Sequence, residues 1–228
     1  MKQLRRWLRS DRPVLIDIGC SSGWMLNTLR HEFSSACILG ADYILGPLEK
    51  LADTVSGVPL LQFDLTNCPL PDACVDGIVL LNVLEHIERD EDALRHVARI
   101  LKPGGVVVIE VPAGPQLYDV YDKLLFHCRR YRMNDLLVKV ERSGLRVLEK
   151  SHMGFFLYPA FWATKKLGQR HLNDSEDVQK AVVAQNINQG RANPVLHSLM
   201  NLEAALRAWI DYPVGIRCLV TCEKSKTA

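Results

Sequence analysis

The apolar positions of this chain fall into short runs separated by stretches of helical periodicity. Val14, Leu15 and Ile16, continued by Ile18, form a run with no polar face, the pattern of a strand buried on both sides of a parallel sheet. Met25, Leu26, Leu29 and Phe33 then recur at helical spacing. CILGAD, ending at Asp42, predicts a second strand, with a helix beginning near Leu45. Pro59 to Asp64 predicts a third strand, Cys74 to Leu81 a fourth and Val106 to Val111 a fifth. Before the fifth, a helix over about Glu88 to Leu101 carries an apolar stripe of Leu94, Val97, Ala98 and Leu101. Acids Glu88, Asp90, Glu91 and Asp92 crowd its start, and Arg95, Arg99 and Lys102 lie towards its end, the order that suits the helix dipole. Pro103, Gly104 and Gly105 are expected to stop it. Met133 to Ser143 predicts a helix closed by Gly144, Leu145 to Lys150 a sixth strand and Val214 to Glu223 a seventh.

Such alternation implies right-handed crossovers and a doubly wound α/β sheet, mainly parallel, whose ligands gather at the carboxyl ends of the strands. Between the sixth and seventh strands the pattern loosens. Phe155 to Trp162 is aromatic and apolar and reads as core or as a lid, with contact to a lipid surface also open. Lys165 to Pro194 is mostly polar, and Val195 to Ile210 reads as a helix with Leu196, Leu199, Met200 and Ala204 on one side. Residues 154–212 are therefore expected to form a helical lid or insertion within one domain spanning 1–228, a length sufficient for one sizeable core.

Composition narrows the class without changing the fold. Hydrophobic residues make up 48% and charged residues 24%, ordinary values for a globular domain, and a formal charge of +2 argues against wholesale nucleic-acid binding. The N-terminus, MKQLRRWLRSDRP, lacks the apolar core of a signal peptide, and no later run approaches bilayer-spanning length, so a cytoplasmic location is expected. Seven scattered cysteines without a CxxC pair fit that compartment. Cys218 and Cys222 sit on one face of the last strand and read as core thiols, and no His/Cys grouping has metal-ligand spacing.

The chemistry concentrates in the turn after the first strand, where Asp17 is followed by Gly19, Cys20, Ser21, Ser22 and Gly23. Small residues allow backbone to approach a ligand, and the following helix offers its amides. The dinucleotide pattern G-x-G-x-x-G, aligned on Gly19, would need glycine at Ser21 and Trp24, which argues against a nicotinamide oxidoreductase. An acid before the loop would repel a pyrophosphate but attract an ammonium group.

DIGCSSG resembles the first motif of the class I S-adenosylmethionine-dependent methyltransferases, with Ser21 where the middle glycine is commonest. Asn82-Val83-Leu84-Glu85-His86-Ile87 resembles the segment after the fourth strand in a large subgroup of that family, and KPGG resembles its turn before the fifth. The resemblance implies an antiparallel last strand inserted beside the sixth, and S-adenosylmethionine as cofactor, with Asp17, Gly19, Cys20, Ser21, Gly23 and Asn82 around it. Asp42 would meet the ribose, Tyr43 lie along the adenine, and Asp64 with Leu65 receive the adenine amino group. Asp42 also fits a helix-capping role.

The loop after the fifth strand, Pro112 to Tyr131, holds Tyr118, Asp119, Tyr121, Asp122, His127, Arg129, Arg130 and Tyr131, more polar and aromatic side chains than a plain connection needs. HCRRY resembles an H-x-R-R-Y signature of methyltransferases associated with bacterial surface glycans. That implies a polar small-molecule, sugar or lipid-linked glycan acceptor, methylated at oxygen, with Tyr121, Asp122, Arg129, Arg130 and Tyr131 contacting it. A hydroxyl acceptor needs its proton taken, and His127 and His86 are the candidate bases. His127 equally suits a structural partner of Asp122, His86 suits packing or capping, and the arginines suit either a fork on an anion or a solvated pair. A non-catalytic cofactor-binding module is the alternative function.

Overall fold

The computed structural model describes residues 1–190, 202–203, 205–206 and 212–225. The elements are α1 (Lys2–Trp7), β1 (Val14–Ile18), α2 (Trp24–Glu32), β2 (Cys37–Asp42), α3 (Leu45–Ala52), β3 (Leu60–Gln62), β4 (Val75–Leu81) and α4 (Asp90–Ile100). There follow β5 (Leu101–Pro112), α5 (Val120–Leu124), α6 (Met133–Arg142), β6 (Leu145–Met153), α7 (Tyr158–Gly168), α8 (Glu176–Gly190) and β7 (Arg217–Lys224). The chain packs as two compact units, one from Met1–Glu110, Leu136–Glu149 and Val220–Ala228, the other from Val111–Asp135 and Lys150–Leu219.

The first unit carries β1 to β4 and most of β5, and the seven strands lie in the order β3-β2-β1-β4-β5-β7-β6. β1 is parallel to β2 and β4, β2 to β3, and β4 to β5. The last pair runs the other way. Ile216, just before β7, donates to Met153 at the end of β6 at 2.7 Å, whereas Glu223 near the end of β7 pairs with Arg146 near the start of β6. β7 is thus the antiparallel insert beside the sixth strand that the family resemblance implies.

Burial follows the apolar runs. Leu15, Ile16, Ile78, Leu80 and Ile109 are wholly buried, each worth about 1.5 to 3 kcal/mol of transfer free energy. In α4, Leu94 and Val97 face the core, the buried Asp90 receives the Lys139 ammonium of α6 at 2.6 Å, and Arg99 in the last turn donates to the carbonyls of Cys68 and Leu70, both at 2.7 Å. Arg99 thereby pins the loop that follows β3.

Three boundaries differ from the sequence reading, each for a local reason. The Pro103-Gly104-Gly105 stop lies inside β5, because the helix already ends at Ile100 and these residues bulge between the Val75↔Leu101 and Gly77↔Val106 pairs. A tie holds the bulge down: Asp76 accepts from the Lys102 ammonium at 2.7 Å and from the Val14 amide at 2.8 Å. β6 runs on to Met153, and β7 begins only at Arg217, after Pro213 and Gly215. The aromatic segment becomes α7, with Pro159 in its first turn, where a missing N–H costs nothing. Most of the expected 195–210 helix lies outside the described residues; 202–203 and 205–206 are helical.

Candidate functional site

In the first unit the residues singled out from the sequence collect at the carboxyl ends of β1 to β4. Asp17 is 3% exposed, and its Oδ2 has no hydrogen-bond partner among the described residues. Burial, and after it the negative charge of Asp42, push its carboxyl up to about 7. Leaving such a group unsatisfied costs about 1 to 3 kcal/mol, so it calls for a reason. Asp42 sits half-buried at the end of β2, where its Oδ2 accepts from the Ser21 amide at 2.9 Å and its Oδ1 from the Ile44 amide at 3.0 Å. It braces the loop and starts the turn into α3, although α3 has no side-chain cap of its own.

The loop's glycines are required by packing as much as by any approach of a ligand. Gly19 has φ +81° and a Cβ there would meet Val83 Cγ2 at 2.4 Å; Gly23 has φ +75° and its Cβ would meet Leu51 Cδ1 at 2.3 Å. Ser21 is also left-handed, at φ +41°, which explains why glycine is the commoner choice there and why a small polar residue suffices. Cys20 is buried, and burial followed by the charges of Asp17 and Asp42 pushes its thiol up to about 12, so it is not a nucleophile.

The remaining positions of this set are less enclosed. Tyr43 is 70% exposed. Asp64 is exposed and caps the 3-10 turn that follows it, accepting from the Thr66 amide at 2.7 Å, with Leu65 buried beneath. Asn82 follows β4 with φ +55° and donates its amide to the Glu110 carbonyl at 2.9 Å, which extends the pairing with β5. His86 is exposed, closing the 3-10 turn Leu84–His86.

The second unit contains the loop from Pro112 to Tyr131, and its centre is a buried ion network. Asp119 caps α5 in a capping box with Asp122, and Asp122 is wholly buried. Oδ1 of Asp122 meets His127 Nδ1 at 2.8 Å and the Arg130 guanidinium at 2.9 Å. The Lys165 ammonium of α7 bridges the two acids, 2.6 Å from Asp119 Oδ1 and 2.9 Å from Asp122 Oδ2. Burial alone would raise the Asp122 carboxyl, but the His127 hydrogen bond, Arg130 and Lys165 outweigh it and hold it well below the usual range. Phe161 lies between the cations, 5.4 Å from each. Gly168 lets the helix close in, since a Cβ there would stand 2.3 Å from Asp119 Oδ2.

This geometry brings together Asp119, Asp122, His127 and Arg130 and changes what two of them can do. Arg130 is turned inward, giving its remaining donors to the carbonyls of Ala113 at 2.8 Å and Ile216 at 3.4 Å, so it is neither the acceptor fork nor the solvated arginine expected. Asp122 is likewise an internal brace. Arg129 stays half-exposed, as does Tyr121 at 37%, with its ring 5.1 Å from the Lys165 ammonium. Tyr131 is buried and its backbone pairs with Pro112 and Gly114. Lys165 was not legible as a network member. The one available signal is a lysine four residues after Phe161, on the apolar side of an aromatic helix.

Residues 16–109 match the family model described as a methyltransferase domain. Over that segment, which runs from β1 into β5 and includes the glycine loop, the chain is similar to methyltransferase domains. Among curated relatives, a Mus musculus protein named "Probable tRNA methyltransferase 9B" is 31% identical over 67% of this chain and 32% of its own length. A malonyl-[acyl-carrier protein] O-methyltransferase of Halalkalibacterium halodurans is 24% identical over 66% of this chain and 56% of its own. The chain thus spans about a third to just over half of these relatives. The crystal structure of an S-adenosylmethionine dependent methyltransferase from Mesorhizobium loti superposes with a TM-score of 0.64 at 17% identity, covering 97% of this chain and 96% of that one, a likeness of fold. Among the described residues no helix is long and apolar enough to cross a membrane.

Proposed function

We propose that this chain binds S-adenosylmethionine at the carboxyl ends of β1 to β4 and methylates an oxygen of a polar small-molecule or sugar acceptor. The observation that carries the reading is Asp17, a buried carboxylate with an unpartnered oxygen beside the glycine loop. An ammonium group supplies the missing partner; a pyrophosphate would meet a charge of its own sign. Asp42 keeps acceptor capacity for ribose hydroxyls beyond its two amide bonds. Asp64, Leu65, Tyr43 and Asn82 are the residues for the adenine and the rest of the cofactor's edge. The cofactor brings a methyl group on a sulfonium, ready for in-line displacement.

The protein's own contributions are alignment and proton removal. His127 is proposed as the base: if its Nδ1–H is donated to Asp122, the neutral ring carries its lone pair on Nε2. Asp122 holds that ring, Arg130 holds Asp122, and Arg129 and Tyr121 are proposed to contact the acceptor. His86 is the runner-up base. A nucleic-acid acceptor is the second reading, supported by the named function of the mouse relative.

The test is a methyl-release assay over cell extracts separated into polar and lipid fractions. A labelled product in the polar fraction is expected. Its absence from every fraction, with cofactor binding intact, would favour a binding module. On the identified acceptor, His127→Ala should lower turnover on the order of 10²- to 10⁴-fold and leave cofactor affinity near wild type. A variant that only lowers the melting temperature would return His127 to a structural role.

A further inference from the structure

The second unit holds a cavity of about 610 Å³, lined in part by Tyr131 and the start of the Pro112–Tyr131 loop and otherwise by residues that the sequence arguments did not single out. Its size suits a ligand of one or two sugar rings. Two cations line it, Arg132 and Lys150, against one carboxylate, Asp135. Arg132 reaches Asp135 only at 3.8 Å, with both side chains largely in solvent, and the Lys150 ammonium makes no hydrogen bond or ion pair among the described residues. These are cations still available to an anion, unlike Arg130, whose guanidinium is spent on Asp122 and two carbonyls.

His152 gives the cavity a directional polar group. Its Nδ1 lies 2.9 Å from the Tyr212 carbonyl. A carbonyl can only accept, so Nδ1 carries the hydrogen and the neutral ring presents its lone pair at Nε2. A fixed acceptor of that kind suits a ligand hydroxyl. Ser151, whose hydroxyl hydrogen goes to the His152 carbonyl at 3.1 Å, adds an acceptor, and the half-buried Tyr158 adds a hydroxyl. Cations that can hold an anion, together with groups that can meet hydroxyls, are the chemistry of a phosphorylated polyol.

We propose that this cavity binds a sugar phosphate, with Lys150 and Arg132 on the phosphate and His152 accepting from a sugar hydroxyl. The proposal depends on the methyl-transfer reading only in the further step of taking this ligand as the acceptor. The cavity's occupancy involves no transfer, so the two can fail separately.

Calorimetric titration of the full chain with glucose 1-phosphate, glucose and inorganic phosphate tests it. Glucose 1-phosphate should bind at least about tenfold more tightly than either fragment, and Lys150→Ala and Arg132→Ala should each weaken it by about tenfold, the loss expected for one charge-assisted contact. His152→Phe keeps the ring and removes the acceptor, and should bring glucose 1-phosphate down to the affinity of phosphate alone. A cooperative thermal melt of the same variants reports that they are folded. The idea is overturned if the three probes bind alike, if none saturates, or if the folded variants bind glucose 1-phosphate as the wild type does.

Discussion

Replacing Asp17 by Asn should weaken binding of S-adenosylhomocysteine on the order of 10²-fold while leaving the unliganded protein as stable as before or more so. The two halves of that result come from one cause. Burial and Asp42 raise the Asp17 carboxyl to about 7 in the folded protein, so ionising it works against the fold. The stability this group contributes is present below its unfolded value of 3.8 and is lost as pH rises through about 7, by up to about 1.4 kcal/mol per pH unit. Asn cannot ionise and escapes that loss. The melting temperatures of variant and wild type should therefore separate as pH is raised from 4 to 7, the variant higher. Wild-type affinity should move in the opposite sense, since a cationic amino group needs the ionised carboxylate. It should climb with pH to about 7 and then level off, and the variant should show no such climb. Loss of stability together with loss of binding would instead make Asp17 a structural residue.

The second large effect lies in the other unit, where Lys165→Met should destabilise the protein by about 3 to 5 kcal/mol. Two buried acids, Asp119 and Asp122, share that ammonium at 2.6 and 2.9 Å, and Arg130 reaches only Asp122. Methionine fills the same volume and leaves the second carboxylate without a counter-charge. The penalty should shrink as pH falls through the carboxylate range, because the stranded acid can then take up a proton. Lys166→Met is the control: among the described residues its ammonium meets only the Gln116 carbonyl and the Gln169 side chain, and its loss should be worth less than about 0.5 kcal/mol. Equal effects of the two substitutions, read by urea unfolding, would remove the network from the account.

The contrast between these two sites marks how far the sequence could be read. Asp17, Gly19 and Asp42 were legible because local geometry fixes them: an apolar run must end, a turn must follow, and the acids sit at strand ends whose positions the periodicity sets. Arg130 and Lys165 were not, because their partners are set by tertiary packing. HCRRY shows two adjacent arginines, and nothing in that string says that Arg130 turns inward while Arg129 stays half-exposed. Lys165 meets acids more than forty positions away, across α6 and β6, and no spacing rule reaches that far. The bulge at Gly104 and Gly105 was misjudged for a related reason. Glycines after a helix signal its end, but here the helix already stops at Ile100 and the glycines serve the strand that follows.

The central claim is that Asp17, beside the glycine loop, receives a cationic amino-acid-like cofactor, and one titration tests it most directly. S-adenosylhomocysteine and NAD are each titrated calorimetrically into the wild-type chain at neutral pH. Saturable binding of S-adenosylhomocysteine at one site per chain, with no heat of binding from NAD, is the predicted result. Binding of NAD in its place, or no binding of S-adenosylhomocysteine by protein shown to be folded, would contradict it.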